Sequence, residues 1–397
     1  MDVLNITILC KVVDNFGDIG FVYRLSRAIL DYFNEDSFYK KNIDSLKLRL
    51  VTDNLHSFKL LCPSINENKD VQSINNVQIF NWNANEVCLN EFIKNPPEII
   101  LECFQCGRPE WLENLLFTIK VPNIVHIIMI DYLSAEPYAE TFHKLQSLTR
   151  SSRVQKVNFM PGFTKKTGGL VLDKPFLQSL KKSAQNNLNN ENVFNAVFFG
   201  YKKNYLPVIC ALNNFNNLLF KDGKKLNILL AKGVGFESFL NAYKSKLIEE
   251  KDCFSVTELN FLPQIEWDAL LCTTPLLFIR GEDSLSRACL CGVPFVWHAY
   301  PQSEEYQLVK VNALLDVMKP YFSAEDFSIV QLCWQVYNTT STEENNTDSL
   351  LQQSLTDFLK NYKNLAVGFK NFSETLLKNG DLCSNLMDFI IEIKNKN

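Results

Sequence analysis

The stretch from Phe278 to Gln302, FIRGEDSLSRACLCGVPFVWHAYPQ, leaves the chain few ways to fold. The apolar run Pro275 to Ile279 leading into it reads as a buried strand. Arg280, Gly281, Glu282, Asp283 and Ser284 form a charged turn, and Leu285 to Cys291 has helical character. Gly292 stands where a helix C-cap would, and Pro294 to His298 reads as the next strand. Strand, turn, helix and strand make a parallel βαβ unit, whose ligands gather at the carboxyl ends of the strands. The turn sets Ser284 and backbone N–H groups at a helix N-terminus, which favours an anion. Arg280 adds a fixed positive charge suited to a diphosphate. Glu282 and Asp283 would repel that group, so they fit better as acceptors for hydroxyls, which suggests a sugar joined to the diphosphate. A capped helix with solvated charges accounts for RGEDS equally well when the motif is taken alone.

Length then sets the domain count. A chain of 397 residues exceeds one ordinary core, so two domains are expected. Hydrophobic residues at 46% and charged residues at 21% describe a globular protein. A net charge of −4 argues against broad nucleic-acid binding. No apolar run reaches the length of a membrane helix, and Asp2 stands where a secretory signal would carry basic residues. Most of the 12 cysteines sit singly in apolar segments, as reduced core residues do, so a cytoplasmic protein is expected. Cys103 and Cys106 form a CxxC, but no second cysteine pair accompanies them for zinc, and a redox role is disfavoured. The 4 histidines are scattered and Asp-x-Asp is absent from the sequence, so no metal or other cofactor is expected.

Along the chain, Ile6 to Val13 reads as a central strand running into Asp14-Asn15-Phe16-Gly17-Asp18-Ile19-Gly20. Phe21 to Phe33 follows with helical spacing. Asp14 and Asp18 flank a tight turn at a strand's carboxyl end. Either could serve as a general base, or Asp18 could simply cap the helix. Strands at Leu46–Thr52, Val77–Phe80, Glu98–Leu101 and Asn123–Ile130 alternate with helices, as in a doubly wound α/β domain. Tyr132-Leu133-Ser134-Ala135-Glu136 and the glycine-bearing loop Met160 to Leu170 follow. Residues 174–192 turn polar and asparagine-rich and read as a linker. The alternation then restarts and runs through the Phe278–Gln302 unit. Gly233-Val234-Gly235 hints at a phosphate turn. Phe199, Tyr201 and Phe261 fall at strand ends, where an aromatic could stack on a base or belong to the core. Gln264, at a helix start, could read a base edge.

The expected architecture is therefore α/β of the GT-B glycosyltransferase kind, two Rossmann-like domains facing across a cleft. The boundaries are 1–173 for the acceptor side and 193–365 for the nucleotide-sugar side. A C-terminal helix in 366–397 is expected to return to the first domain. Sugar-nucleotide epimerases share this architecture, so the fold leaves open another transferase, an epimerase or a non-catalytic binding module.

Several blocks narrow the choice. VVDNFGDIG (Val12–Gly20), YLSAE (Tyr132–Glu136), PGFTKKTGGL (Pro161–Leu170), FLPQ (Phe261–Gln264), RGEDS (Arg280–Ser284) with Arg287-Ala288, and PFVWHAYPQ (Pro294–Gln302) occur in one order over nearly three quarters of the chain. In these blocks the chain resembles the EarP family, protein-arginine rhamnosyltransferases of translation elongation factor P. The resemblance implies dTDP-β-L-rhamnose as donor, an arginine of elongation factor P as acceptor, and inversion at the anomeric carbon. On that reading Asp18 orients the acceptor guanidinium with Asp14 as its partner. Asn15, Phe16 and Gly17 line the sugar subsite. Arg280, Gly281 and Ser284 hold the diphosphate, while Glu282 and Asp283 take sugar or ribose hydroxyls, and Glu282 supports charge at the ring. Tyr201, Phe261 and Gln264 are expected at the thymine, and Tyr300 at a phosphate or the ribose.

Overall fold

A computed structural model describes residues 3–13, 16–35, 37–119, 121, 123–185, 192–249, 253–340 and 344–395. Contacts divide the chain into two compact units, Met1–Leu177 with Asn379–Asn397, and Gln178–Lys378. The stretch read as a linker carries the helix Lys174–Gln185, and residues 186–191 lie outside the described residues. Among the described residues, no helix is long and apolar enough to cross a membrane.

In the first unit the strands are β1 (Val3–Cys10), β2 (Ser45–Thr52), β3 (Val71–Ile74), β4 (Val77–Asn81), β5 (Ile99–Cys103), β6 (Val125–Ile130), β7 (Gln146–Ser147) and β8 (Val154–Phe159). They form one sheet in the order β3-β4-β2-β1-β5-β6-β8-β7. The six strands from β4 to β8 run parallel, and β3 and β7 close the edges antiparallel. A parallel sheet is covered on both faces, which is why β1 and β5 are nearly continuous apolar runs. One face packs Ile6 and Ile8 against Ile19, Val22, Leu25 and Ile29 of the helix Gly17–Glu35. The other packs Leu9 and Ile100 with Phe92, Trp111 and Leu116. Each such fully buried side chain contributes about 1.5–3 kcal/mol.

The tail forms two helices where one was expected. Tyr362–Lys378 belongs to the second unit and Leu382–Lys394 to the first, where Leu386, Met387 and Ile390 join the core around β1. Gly380, at φ +104°, makes the break, and Asp381 caps the new helix by accepting from Ser384 N–H at 2.8 Å. Asp173 locks the same region to the long helix through Arg24 at 3.1 Å and Arg27 at 3.3 Å.

The second unit is simpler. Strands β9 (Val193–Phe198), β10 (Lys225–Ala231), β11 (Ser255–Leu259), β12 (Leu277–Arg280) and β13 (Phe295–His298) are all parallel, in the order β11-β10-β9-β12-β13. Chain order reverses between β9 and β12, so this is the switch point at which such sheets open a crevice at the carboxyl ends.

Candidate active site

Residues from four strand ends meet at that switch point. Arg280 ends β12, and its guanidinium lies 4.3 Å from the centre of the Phe199 ring and 4.6 Å from that of Tyr201, both just past β9. This cation–π seating fixes the plane of the fork while leaving its N–H edge for an anion. The Arg280 Nε atom is buried with no hydrogen-bond partner among the described residues. Past β10, Gly233-Val234-Gly235 closes on the same place. A Cβ on Gly233 would meet Arg280 Nη2 at 3.2 Å, and one on Gly235 would meet the Gly200 carbonyl oxygen at 2.4 Å. The backbone contact requires glycine at 235, and a side chain at 233 would crowd Phe199 and Arg280.

Gly281 turns the chain from β12 into the helix Glu282–Cys291. Its φ of +71° and ψ of 164° belong to a region that only glycine occupies without strain. Glu282 and Asp283 stand in the first helical turn, with Lys310 Nζ 3.9 Å from Glu282 Oε1. Ser284 Oγ accepts from Trp267 Nε1 at 3.3 Å, and a serine that accepts can still donate its own proton to an anion. Trp267 also meets Phe199 edge-on at 5.4 Å and lies one turn past Gln264, which is buried at the start of the helix Gln264–Thr273. Tyr300, past β13, exposes 54% of its surface and touches Tyr201 edge-on at 5.3 Å; Phe261 exposes 41%. Tyr201 itself is buried under Arg280, so it supports the guanidinium, while Tyr300 and Phe261 keep the open ring faces.

The first unit has its own switch point, between β1 and β5. Asp14 and Asn15 lie outside the described residues. Phe16 and Gly17 are half-buried at the entry to the helix, where Gly20 N–H donates to Phe16 O at 2.9 Å. Asp18 is buried, and its Oδ2 accepts from Val13 N–H at 2.8 Å. The carboxylate thus braces the strand-to-helix turn from the first helical turn, where negative charge is favoured by the helix dipole. Around it stand Cys10, Cys103 and Cys106. Burial raises the Cys10 and Cys103 thiols well above their ordinary range, with the Asp18 charge adding to it, and pushes Cys106 up to about 12. Thiols held neutral are poor nucleophiles, so this environment disfavours redox chemistry at the CxxC. At the end of β5, Phe104 and Gln105 both hold left-handed backbone, at φ 58° and 52°. Phe104 stacks on Tyr132, past β6, at 4.5 Å.

The second unit therefore gathers Tyr201, Arg280, Gly281, Ser284 and Tyr300 around one point, with Glu282 and Asp283 on the adjoining turn. Trp267 and His298 belong to the same cluster, although the residues alone assign them no role. Their signal is positional. FIR and VWH are neighbouring strand ends of equal depth, which brings His298 level with Arg280.

The family model described as "Elongation-Factor P (EF-P) rhamnosyltransferase EarP" matches residues 6–391. A protein-arginine rhamnosyltransferase of Shewanella oneidensis is 27% identical over 372 residues, covering 84% of this chain and 89% of that one. One from Pseudomonas aeruginosa is 26% identical over 344 residues, covering 83% and 86%. A solved structure that gives the structural basis for EarP-mediated arginine glycosylation of translation elongation factor EF-P superposes with a TM-score of 0.57 at 17% identity, covering 97% of this chain and 98% of its own. The sucrose-phosphate synthase of Thermosynechococcus elongatus superposes at 0.51 with 10% identity, covering 99% and 100%. The fold is that of the GT-B glycosyltransferases, and the chain belongs to the EarP family of elongation-factor P rhamnosyltransferases.

Proposed function

We propose that the protein transfers L-rhamnose from dTDP-β-L-rhamnose to an arginine side chain of elongation factor P, with inversion at the anomeric carbon. The observation that carries this reading is the seating of Arg280. Its guanidinium rests on two aromatic rings at the sheet's switch point, with a buried Nε donor unmatched among the described residues. Together with Ser284 and the helix start at Glu282, it suits a diphosphate that gains charge as it leaves. Tyr300, Phe261 and Gln264 take the nucleoside end. Glu282 and Asp283 accept from sugar or ribose hydroxyls.

The acceptor poses the harder chemical problem. An arginine guanidinium has a pKa above 12, so its neutral form is scarce. In the transfer, a guanidinium nitrogen forms the bond to the anomeric carbon while the bond from that carbon to the diphosphate oxygen breaks. The surplus proton leaves the nitrogen. Asp18, with Asp14, orients the guanidinium and receives that proton late, because a carboxylate is too weak a base to remove it from a guanidinium beforehand. Glu282 steadies positive charge on the ring as the leaving group departs.

The test is incubation of the purified protein with dTDP-β-L-rhamnose and elongation factor P, followed by intact-mass measurement of the factor. Gain of one deoxyhexose, lost when the acceptor arginine is changed to lysine, supports the reading. Turnover of the donor with an unmodified factor contradicts it.

A further inference from the structure

We propose that His298 is a positioning residue of the nucleotide site, holding the Tyr201 backbone through Nδ1 so that Tyr201 presents Arg280 to the diphosphate. This rests on the donor-binding reading of Arg280. His298 ends β13 in register with Arg280 at the end of β12, and it is 5% exposed. Tyr201 lies beyond β9, on the far side of β12. The imidazole therefore reaches across the end of β12, where Nδ1 accepts from Tyr201 N–H at 3.1 Å. Its ring meets Tyr201 edge-on at 5.3 Å and Tyr337 at 5.3 Å from the other side. The Tyr205 hydroxyl donates to the Tyr201 carbonyl, so both backbone groups of Tyr201 are tied to side chains. β13 is fixed in turn by buried Asn338, which accepts from Ala299 N–H and donates to Trp297 O, both at 2.8 Å.

The geometry requires a neutral ring with its proton on Nε2, because a protonated imidazole has no acceptor to offer Tyr201. The groups facing it act in the same direction. Arg280 is a cation, Lys203 is a cation below about pH 8, where burial lowers it and Asp348 supports it, and Tyr201, Tyr205 and Tyr337 face His298 as rings, the last two with hydroxyls that burial raises. Burial and the two cations hold His298 well below the ordinary imidazole range. His298 is thus an acceptor that shapes the site and not a cation that binds phosphate.

Calorimetric titration of dTDP into wild type, His298→Ala, His298→Asn and His298→Gln between about pH 6.5 and 8.5 tests this. Asparagine puts an acceptor oxygen where Nδ1 stands, whereas glutamine carries it further out. Alanine and glutamine should each weaken dTDP by about tenfold, and asparagine should stay within about threefold of wild type at a constant ratio across the range. Asparagine and glutamine both fill the space, so the comparison holds if the alanine variant folds poorly. Asparagine as weak as glutamine overturns the proposal, as does wild-type affinity that falls with rising pH relative to His298→Asn, the mark of a cationic ligand. Wild type that binds no dTDP overturns the donor reading and this inference with it.

Discussion

Arg280 shows what a single side chain can and cannot reveal in a sequence. Its charge and its place after an apolar run are legible, because strand-then-turn is a local pattern. That it rests on Phe199 and Tyr201 is not, since those rings arrive from a strand some eighty positions earlier (Phe199 against Arg280). The seating bears on substitution. Arg280→Lys keeps the charge but loses the planar fork and its stacking, so dTDP affinity should drop by about tenfold, read by calorimetry. An unchanged affinity would reduce Arg280 to a point charge. Cys103 and Cys106 illustrate the reverse case, a motif that stands out in sequence but whose thiols burial keeps neutral in place. With both thiols raised by burial, the Cys106→Ser variant should retain full transfer activity and wild type should react slowly with iodoacetamide.

At the scale of elements, the central parallel strands were readable because burial on both faces makes them continuous apolar runs. The outer strands β3 and β8 were not. Val71–Ile74 is exposed or half-buried throughout, and Val154–Phe159 interleaves Gln155, Lys156 and Asn158 with its buried positions, so neither gives an apolar run. The tail misled for another reason. Its helical spacing continues on both sides of Gly380, and only the φ of +104° there and the Asp381 cap separate two helices that serve different units. The turn from β12 into its helix depends on Gly281 in the same local way. Gly281→Ala should cost about 1–3 kcal/mol of stability in urea unfolding and weaken dTDP with it. Wild-type stability in that variant would show that the turn has another conformation open to it.

At the scale of the whole molecule, two histidines, His143 half-buried and His298 buried, hold the same device. His143 accepts from Met160 N–H through Nδ1 at 3.1 Å in the first unit, as His298 does from Tyr201 in the second. Burial and Lys144 push His143 down to about 4, and His298 also lies well below its ordinary range. An unfolded histidine titrates near about 6.5, so between that pH and the folded value the unfolded chain binds more protons. The stability from these groups is full above about pH 6.5 and is lost as pH falls toward about 4. Asp381, raised by burial, acts in the opposite sense, so the comparison needs a matched variant. Urea midpoints of wild type should fall more steeply between about pH 6.5 and 4.5 than those of His143→Asn; parallel curves would remove His143 from the acid response.

The central claim divides the chemistry between the two units, donor binding at Arg280 and acceptor orientation at Asp18. It is tested most directly by titrating dTDP into Asp18→Asn and measuring transfer to elongation factor P with the same preparation. The account predicts dTDP affinity within about threefold of wild type and no detectable rhamnosylated factor. Loss of dTDP binding together with transfer would make Asp18 a brace for the fold, and retained transfer would remove it from the chemistry.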